Sequence, residues 1–357
     1  MGAATAATPA TATPAAATPT AAGPAAAAPP PLRIRGLSVS YANPHGRIDA
    51  VRAIDIDVAA GEFLGIVGES GSGKTQLLLS ILGLSAPGAE LGGSIRYRDQ
   101  ELLGLDAAAL NQVRGNRISM VFQDPMTALN PYLRVGRQIT EVLAVHRGAG
   151  ARAAEQRAIE MLQSVHMPDA ARRMRQYPHQ LSGGMRQRVM IAMALIAQPE
   201  ILLADEPSTA LDVTVQAQIL SLFQELRART GTAIVLVTHD LGVIAEVADR
   251  VAVMYAGRIM EQAPVQALFA HPRHPYTEAL QQSIPRIDAP RPARLPSIPG
   301  APPNPAALPP GCPFAPRCLY RMPVCDSVMP PLVQASPGHW KACHHEGALG
   351  KLRAQPV

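Results

Sequence analysis

Residues Gly68-Glu69-Ser70-Gly71-Ser72-Gly73-Lys74-Thr75 place three glycines, three hydroxyls and a lysine within eight positions. That pattern suits the binding of a polyphosphate. Glycines let the backbone curl until successive N–H groups face one anion, so Gly68, Ser70, Gly71, Ser72 and Gly73 form the cradle. Lys74 reaches the β- and γ-phosphates, and the Thr75 hydroxyl holds Mg²⁺. A second group is Asp205-Glu206, which follows the apolar run Ile201-Leu202-Leu203-Ala204. A buried strand that ends in two carboxylates delivers them to the edge where α/β sheets bind ligands. Asp205 is read as a Mg²⁺ ligand and Glu206 as the general base that polarises an attacking water. Standing alone, Asp-Glu-Pro would be a solvated turn; the preceding strand and the phosphate loop in the same chain favour the site.

Two further groups have a less definite chemistry. Leu181-Ser182-Gly183-Gly184-Met185-Arg186-Gln187-Arg188 is a Gly-rich turn that opens a helix. Its amides and the Ser182 hydroxyl suit a second phosphate, although Ser182 is equally a good helix N-cap. The four cysteines, Cys312, Cys318, Cys325 and Cys343, all follow Pro310. Their spacing matches neither the tight pairs of common zinc sites nor the common ferredoxin runs. Clustered thiols in a proline-rich segment suggest a metal staple; zinc and free thiols are the alternatives, since lasting disulfides are disfavoured in a reducing compartment.

The elements around these groups alternate in period. Glu62–Val67 is a short apolar strand entering the phosphate loop, and Gln76–Leu82 is the helix leaving it. Leu37–Tyr41 and Val51–Val58 alternate like strands, with a turn at 43–46. Strands are expected at Ser94–Tyr97, Ile118–Phe122, Ala233–Thr238, Val251–Tyr255 and Arg258–Glu261. Helices are expected at Ala107–Val113, capped by Asp106, and at about Val213–Arg229. From Pro131 to about Ala197 the pattern is helical. Strands alternating with helices imply a largely parallel sheet covered on both faces.

The chain has 357 residues, 47% of them hydrophobic, and a formal charge of +5. That is enough for a large domain with an appendage. The charge is mild, and with aromatics at 4% there is no stacking platform, so nucleic acid is not an expected partner. Residues 1–31 are Ala, Thr, Pro and Gly-rich, which predicts a disordered tail. The most apolar long stretch, Val189–Ala204, is interrupted by Gln198-Pro199-Glu200 and is too short to span a bilayer. No secretory leader is apparent, so a cytoplasmic protein is expected.

Taken in order, the phosphate loop, Gln123, Leu181-Ser182-Gly183-Gly184, Asp205-Glu206, Ser208-Thr209-Ala210-Leu211-Asp212 and His239 resemble the motifs of the ATP-binding-cassette ATPases. The resemblance implies an α/β phosphate-loop domain: a RecA-like core, an antiparallel β-subdomain and a helical subdomain. It implies that Tyr41 stacks on adenine, that Gln123 senses Mg²⁺ and the γ-phosphate, and that His239 contacts the γ-phosphate. Asp212 would lie in a loop communicating across a dimer. Each ATP would sit between the loop of one subunit and the Ser182-Gly183-Gly184 turn of another, so a head-to-tail dimer is required. Met185 stands where many cassettes have Gln, as it does in the peptide-importer branch.

Beyond His271, the segments His271-Pro272-Arg273-His274-Pro275-Tyr276, Ile298-Pro299-Gly300 and Gly311-Cys312-Pro313-Phe314-Ala315-Pro316-Arg317-Cys318 are similar to the C-terminus of oligopeptide/dipeptide (and nickel) importer ATPases. The chain thereby divides into a tail at 1–31, an ATPase domain at 32–270 with its helical subdomain at about 131–197, and a Pro/Cys-rich extension at 271–357. The resemblance implies a [4Fe–4S] cluster on the four cysteines. It also implies two transmembrane permeases, a second ATPase subunit (a different cassette chain, with a second copy of this chain as the alternative), an extracytoplasmic peptide-binding protein, and a peripheral place on the cytoplasmic face of the plasma (inner) membrane. The alternatives are a nickel or other small-solute importer and a non-transport cassette ATPase. Against the last, ribosome-acting relatives usually carry two cassettes, and chromosome ATPases place a long coiled coil before the signature turn, where this chain shows no heptads.

Overall fold

The structure is a computed structural model and describes residues 1–2, 29–43, 46–207, 212–284 and 298–350. Most of the expected N-terminal tail, the centre of the 43–46 turn and Ser208–Leu211 therefore lie outside the described residues. In chain order the elements are β1 (Leu32–Asn43), β2 (Gly46–Val58), β3 (Phe63–Val67), α1 (Lys74–Ile81), β4 (Ala89–Tyr97), β5 (Gln100–Glu101), α2 (Ala107–Val113) and β6 (Ile118–Val121). There follow α3 (Pro125–Ala128), α4 (Val135–Arg147), α5 (Ala151–Ser164), α6 (Ala170–Arg173), α7 (Gly183–Leu195), β7 (Ile201–Asp205), α8 (Val213–Thr230), β8 (Ala233–Thr238) and α9 (Leu241–Val247). The chain closes with β9 (Arg250–Tyr255), β10 (Arg258–Pro264), α10 (Val265–Ala270), α11 (Pro275–Gln282), β11 (Val333–Ser336) and β12 (His339–Lys341).

The main sheet has the order β11-β12-β10-β9-β3-β8-β7-β6. From β9 to β6 the strands are parallel, and β10, β12 and β11 continue the sheet antiparallel. β3, β7 and β8 are buried along their whole length, as a strand covered on both faces must be. Alternate residues serve opposite layers. Phe63 and Val67 face a core shared with the helical segment, whereas Leu64 and Ile66 face a core shared with β1, β2 and α1. A second, antiparallel sheet, β2-β1-β4-β5, closes that other layer.

Helix ends follow side-chain chemistry. Asp106 Oδ1 accepts from Ala109 N at 2.8 Å and so caps α2. Ser182 caps α7 by accepting from Met185 N. Asp212 caps α8, accepting from Val215 N at 2.9 Å. Among the described residues no helix is long and apolar enough to cross a membrane.

The sequence offers few regular elements after His271, yet the structure docks this segment onto the main sheet. β12 pairs with β10 and β11 pairs with β12. Strands of three and four residues carry little pattern of their own, and the pairing partner defines them. A buried carboxylate fixes the junction. Glu261 of β10 is fully buried and accepts from Arg273 N at 2.6 Å, from His274 N at 3.0 Å, and pairs with His339 Nε2 at 2.6 Å. One side chain thus ties the sheet to the start of α11 and to β12. Tyr276, Cys312, Phe314, Ala315 and Cys325 enter the same core as the helical segment.

Candidate active site

The parallel register brings four strand ends to one edge. Val67 lies opposite Thr238, Asp205 opposite Val237, and Val121 opposite Ala204. The residues that follow these strands therefore meet: the phosphate loop, Glu206, His239 and, one residue further on, Gln123. In an α/β sheet this carboxyl edge is where ligands bind.

The loop from Gly68 to Gly73 joins β3 to α1. Gly73 has φ +98°, and a Cβ there would stand 2.2 Å from Ala50 O, so both conformation and space demand glycine. Lys74 is 5% exposed. Its Nζ donates to Gly68 O at 2.8 Å, to Glu69 O at 2.9 Å and to Ser72 Oγ at 3.4 Å. The ammonium is thus folded back on the loop that a polyphosphate would enter. Burial pushes its pKa below the usual lysine value, opposed by the charges of Glu206, Asp205 and Glu69.

Thr75 Oγ1 donates to Asp205 Oδ1 at 3.2 Å. A hydroxyl and a carboxylate side by side are the hard oxygen donors that Mg²⁺ takes. Asp205 is 3% exposed, and burial raises its pKa against the lowering effect of the Thr75 hydrogen bond. Glu206 holds φ +42°, a left-handed conformation uncommon for a side chain of its size. Its Oε2 accepts from Gln123 Nε2 at 3.2 Å and lies 3.2 Å from His239 Nδ1. The structure therefore joins Lys74, Thr75, Asp205, Glu206, Gln123 and His239 in one site.

Other residues lie apart from it. Ser182 and Gly183 are exposed at the start of α7, and among the described residues no hydrogen bond links that turn to the phosphate loop. Gly184 packs beside Val215. Asp212 serves its own helix cap. Tyr41 sits by α1, its hydroxyl donating to Gln76 Oε1.

The four cysteines all line one small pocket, beside His274, Phe314 and Tyr320. None is in a disulfide. Gly311 lets the chain approach closely, since a Cβ there would stand 2.2 Å from Cys325 O. Burial pushes the thiol of Cys312 up to about 11 and that of Cys318 up to about 12, and it raises Cys343 as well. The His345 amide donates to Cys343 Sγ at 3.4 Å and partly offsets that effect there. Among the described residues, no three His, Cys, Asp or Glu side chains stand close enough to share one metal ion. A single tetrahedral ion needs sulfurs about 2.3 Å from one centre. A four-iron cube is a larger body, held by four thiolates whose sulfurs accept hydrogen bonds.

Two residues in contact with the loop escape a motif reading. Arg317 and Tyr276 both reach Glu69 from the extension. The readable signal was Glu69 itself: a carboxylate inside an anion-binding loop calls for a cation beside it.

The ABC transporter family profile matches residues 51–209, and that of the oligopeptide/dipeptide transporter C-terminal region matches residues 260–325. The chain is 51% identical over 312 residues to the oligopeptide transport ATP-binding protein OppD of Salmonella typhimurium, covering 87% of this chain and 92% of that protein. It is 49% identical over 314 residues to the dipeptide transport ATP-binding protein DppD of Bacillus subtilis, covering 87% and 93%. Its fold is similar to the dimeric post-hydrolysis structure of the ATP-binding cassette MJ0796 bound to ADP and Pi. That match has TM-score 0.60 and 30% identity over 66% of this chain and 98% of the other.

Proposed function

The chain belongs to the ABC transporter family of ATPases, in its oligopeptide/dipeptide branch, and from that premise we propose that it energises the import of oligopeptides or dipeptides by hydrolysing ATP. The observation that carries the chemistry is the convergence of Gln123 and His239 on Glu206, beside Thr75 and Asp205.

ATP lays its β- and γ-phosphates over the loop, where Lys74 exchanges its carbonyl partners for phosphate oxygens. Tyr41 supports the adenine. Thr75, Asp205 and Gln123 would hold Mg²⁺, which supplies charge neutralisation at the β- and γ-oxygens. Glu206 takes the proton of the attacking water, and His239 contacts the γ-phosphate. The Ser182-Gly183-Gly184 turn completes the site of a facing subunit; its exposure at the start of α7 supports that role. One loop and one such turn per chain make two half-sites, which a head-to-tail pair unites. ATP favours the closed pair and hydrolysis releases it, a shift of population driven by γ-phosphate contacts. The partner ATPase is a second, different subunit, with Asp212 at the contact between them. The pair drives two permeases from the cytoplasmic face of the membrane, and an extracytoplasmic binding protein delivers the peptide.

Purification of the full-length Glu206→Gln chain with ATP from solubilised membranes tests this reading. Two multi-span permeases and a second cassette subunit are expected by mass spectrometry. Ribosomal proteins, or no membrane partner, would sink the transport assignment.

Cys312, Cys318, Cys325 and Cys343 would hold a [4Fe–4S] cluster that staples the extension. Their shared pocket and the His345 amide that donates to Cys343 Sγ support this. Full-length protein purified without oxygen is expected to carry about four iron and four labile sulfide per chain, and Cys325→Ser to lose them. One zinc per chain, or no metal, would refute the cluster.

A further inference from the structure

Glu69 puts a negative charge in the loop that must receive a polyphosphate. The extension answers it. Arg317 donates from Nη1 to Glu69 Oε2 at 2.7 Å and from Nη2 to Glu69 Oε1 at 3.0 Å, a bidentate pair across 248 positions of sequence. The guanidinium is itself fixed. Nε donates to Pro299 O at 2.9 Å and Nη1 to the Tyr255 hydroxyl at 3.1 Å, and its carbon lies 5.9 Å from the ring centres of Tyr255 and Phe314. The Arg317 side chain is 5% exposed and that of Glu69 25%. A pair this far out of water interacts more strongly than a surface ion pair.

The same extension holds the backbone of Glu69. Its N–H donates to the Tyr276 hydroxyl at 2.9 Å. Its carbonyl accepts from Lys74 Nζ at 2.9 Å and from Ser72 N at 3.2 Å. Glu69 is therefore gripped by the extension on one side and holds the lysine on the other. A small cleft is lined by Glu69–Ser72 of the loop and by Pro302, Pro303 and Leu308 of the extension.

We propose that Arg317 is a positioning residue for the phosphate loop: it neutralises and orients Glu69, so that the loop presents amides and Lys74, rather than a bare carboxylate, to the nucleotide. The proposal rests on the ATPase reading above. Without Arg317 the carboxylate repels the incoming phosphates, and the residue carrying one of the acceptors of Lys74 loses its anchor. Glu69 then becomes harmful to binding, which a purely structural staple would not predict.

The test is titration of the full-length chain with a fluorescent ATP analogue, with thermal unfolding followed in parallel. Arg317→Met is expected to bind about tenfold more weakly or worse, the scale for removing one partner of a desolvated charge pair. Glu69→Gln keeps the arginine, leaves its positive charge unopposed beside the loop and should bind about threefold more tightly. The double variant should recover most of the affinity lost in Arg317→Met, even if its unfolding temperature stays low. Parent-like affinity in Arg317→Met, or a double variant as weak as Arg317→Met, would overturn the proposal. Should Arg317→Met fail to fold, Glu69→Gln decides: weaker binding than the parent overturns the charge argument. A parent chain that binds no ATP would instead refute the ATPase reading.

Discussion

Glu206→Gln is expected to lower ATP hydrolysis about 10²- to 10³-fold, within the range for removal of a general base, while nucleotide binding persists. The argument is positional. Glu206 follows a fully buried strand, and its Oε2 lies within 3.2 Å of both Gln123 Nε2 and His239 Nδ1. The amide keeps the size of the side chain and one acceptor oxygen, so the site keeps its shape. What it loses is the ability to take a proton from water. With the chemical step blocked, the ATP-bound pair should accumulate, visible as a dimer in size-exclusion chromatography of this chain mixed with its partner ATPase subunit and ATP, and absent with ADP. Phosphate release within a few-fold of the parent would place the base elsewhere.

Lys74→Ala is expected to weaken ATP binding by about 30-fold or more, the cost of removing a charged partner from a desolvated contact. Lys74 is the buried cation at the centre of the loop, and its acceptors Gly68 O, Glu69 O and Ser72 Oγ are all loop atoms. Truncation removes the charge that meets the β- and γ-phosphates. It also strips the donor from Gly68 O and Glu69 O, so the empty loop should loosen. Equilibrium titration with ATP, set beside ADP, separates the two effects. A loss confined to phosphate recognition should be smaller for ADP, whereas a collapsed loop should lose both equally. ATP affinity within threefold of the parent would remove Lys74 from the binding site.

Much of this site is written locally in the chain. A phosphate loop needs a particular set of residues over a short span, and Gly68–Thr75 supplies it. The strand before it, the helix after it and the caps at Asp106 and Ser182 follow from period and side-chain chemistry within a few residues. Asp205 and Glu206 are legible because an apolar run ending in carboxylates has few uses in a buried sheet. Gln123 and His239 carry no such mark; they were identifiable by family likeness, and alone each would pass for an ordinary polar residue.

What the tertiary structure decided is which distant segments meet. Sheet order and register bring the ends of β3, β6, β7 and β8 to one edge, and no local pattern encodes that order. The extension read as a proline-rich appendage. In the structure its short strands complete the main sheet, its four cysteines line one cavity, and its Arg317 grips the phosphate loop. Sequence determines local geometry because φ/ψ preference, periodicity and capping act between near neighbours. Long-range contacts such as Glu69 to Arg317 depend on how whole layers pack, so they emerge only when burial and strand pairing are satisfied together across the fold.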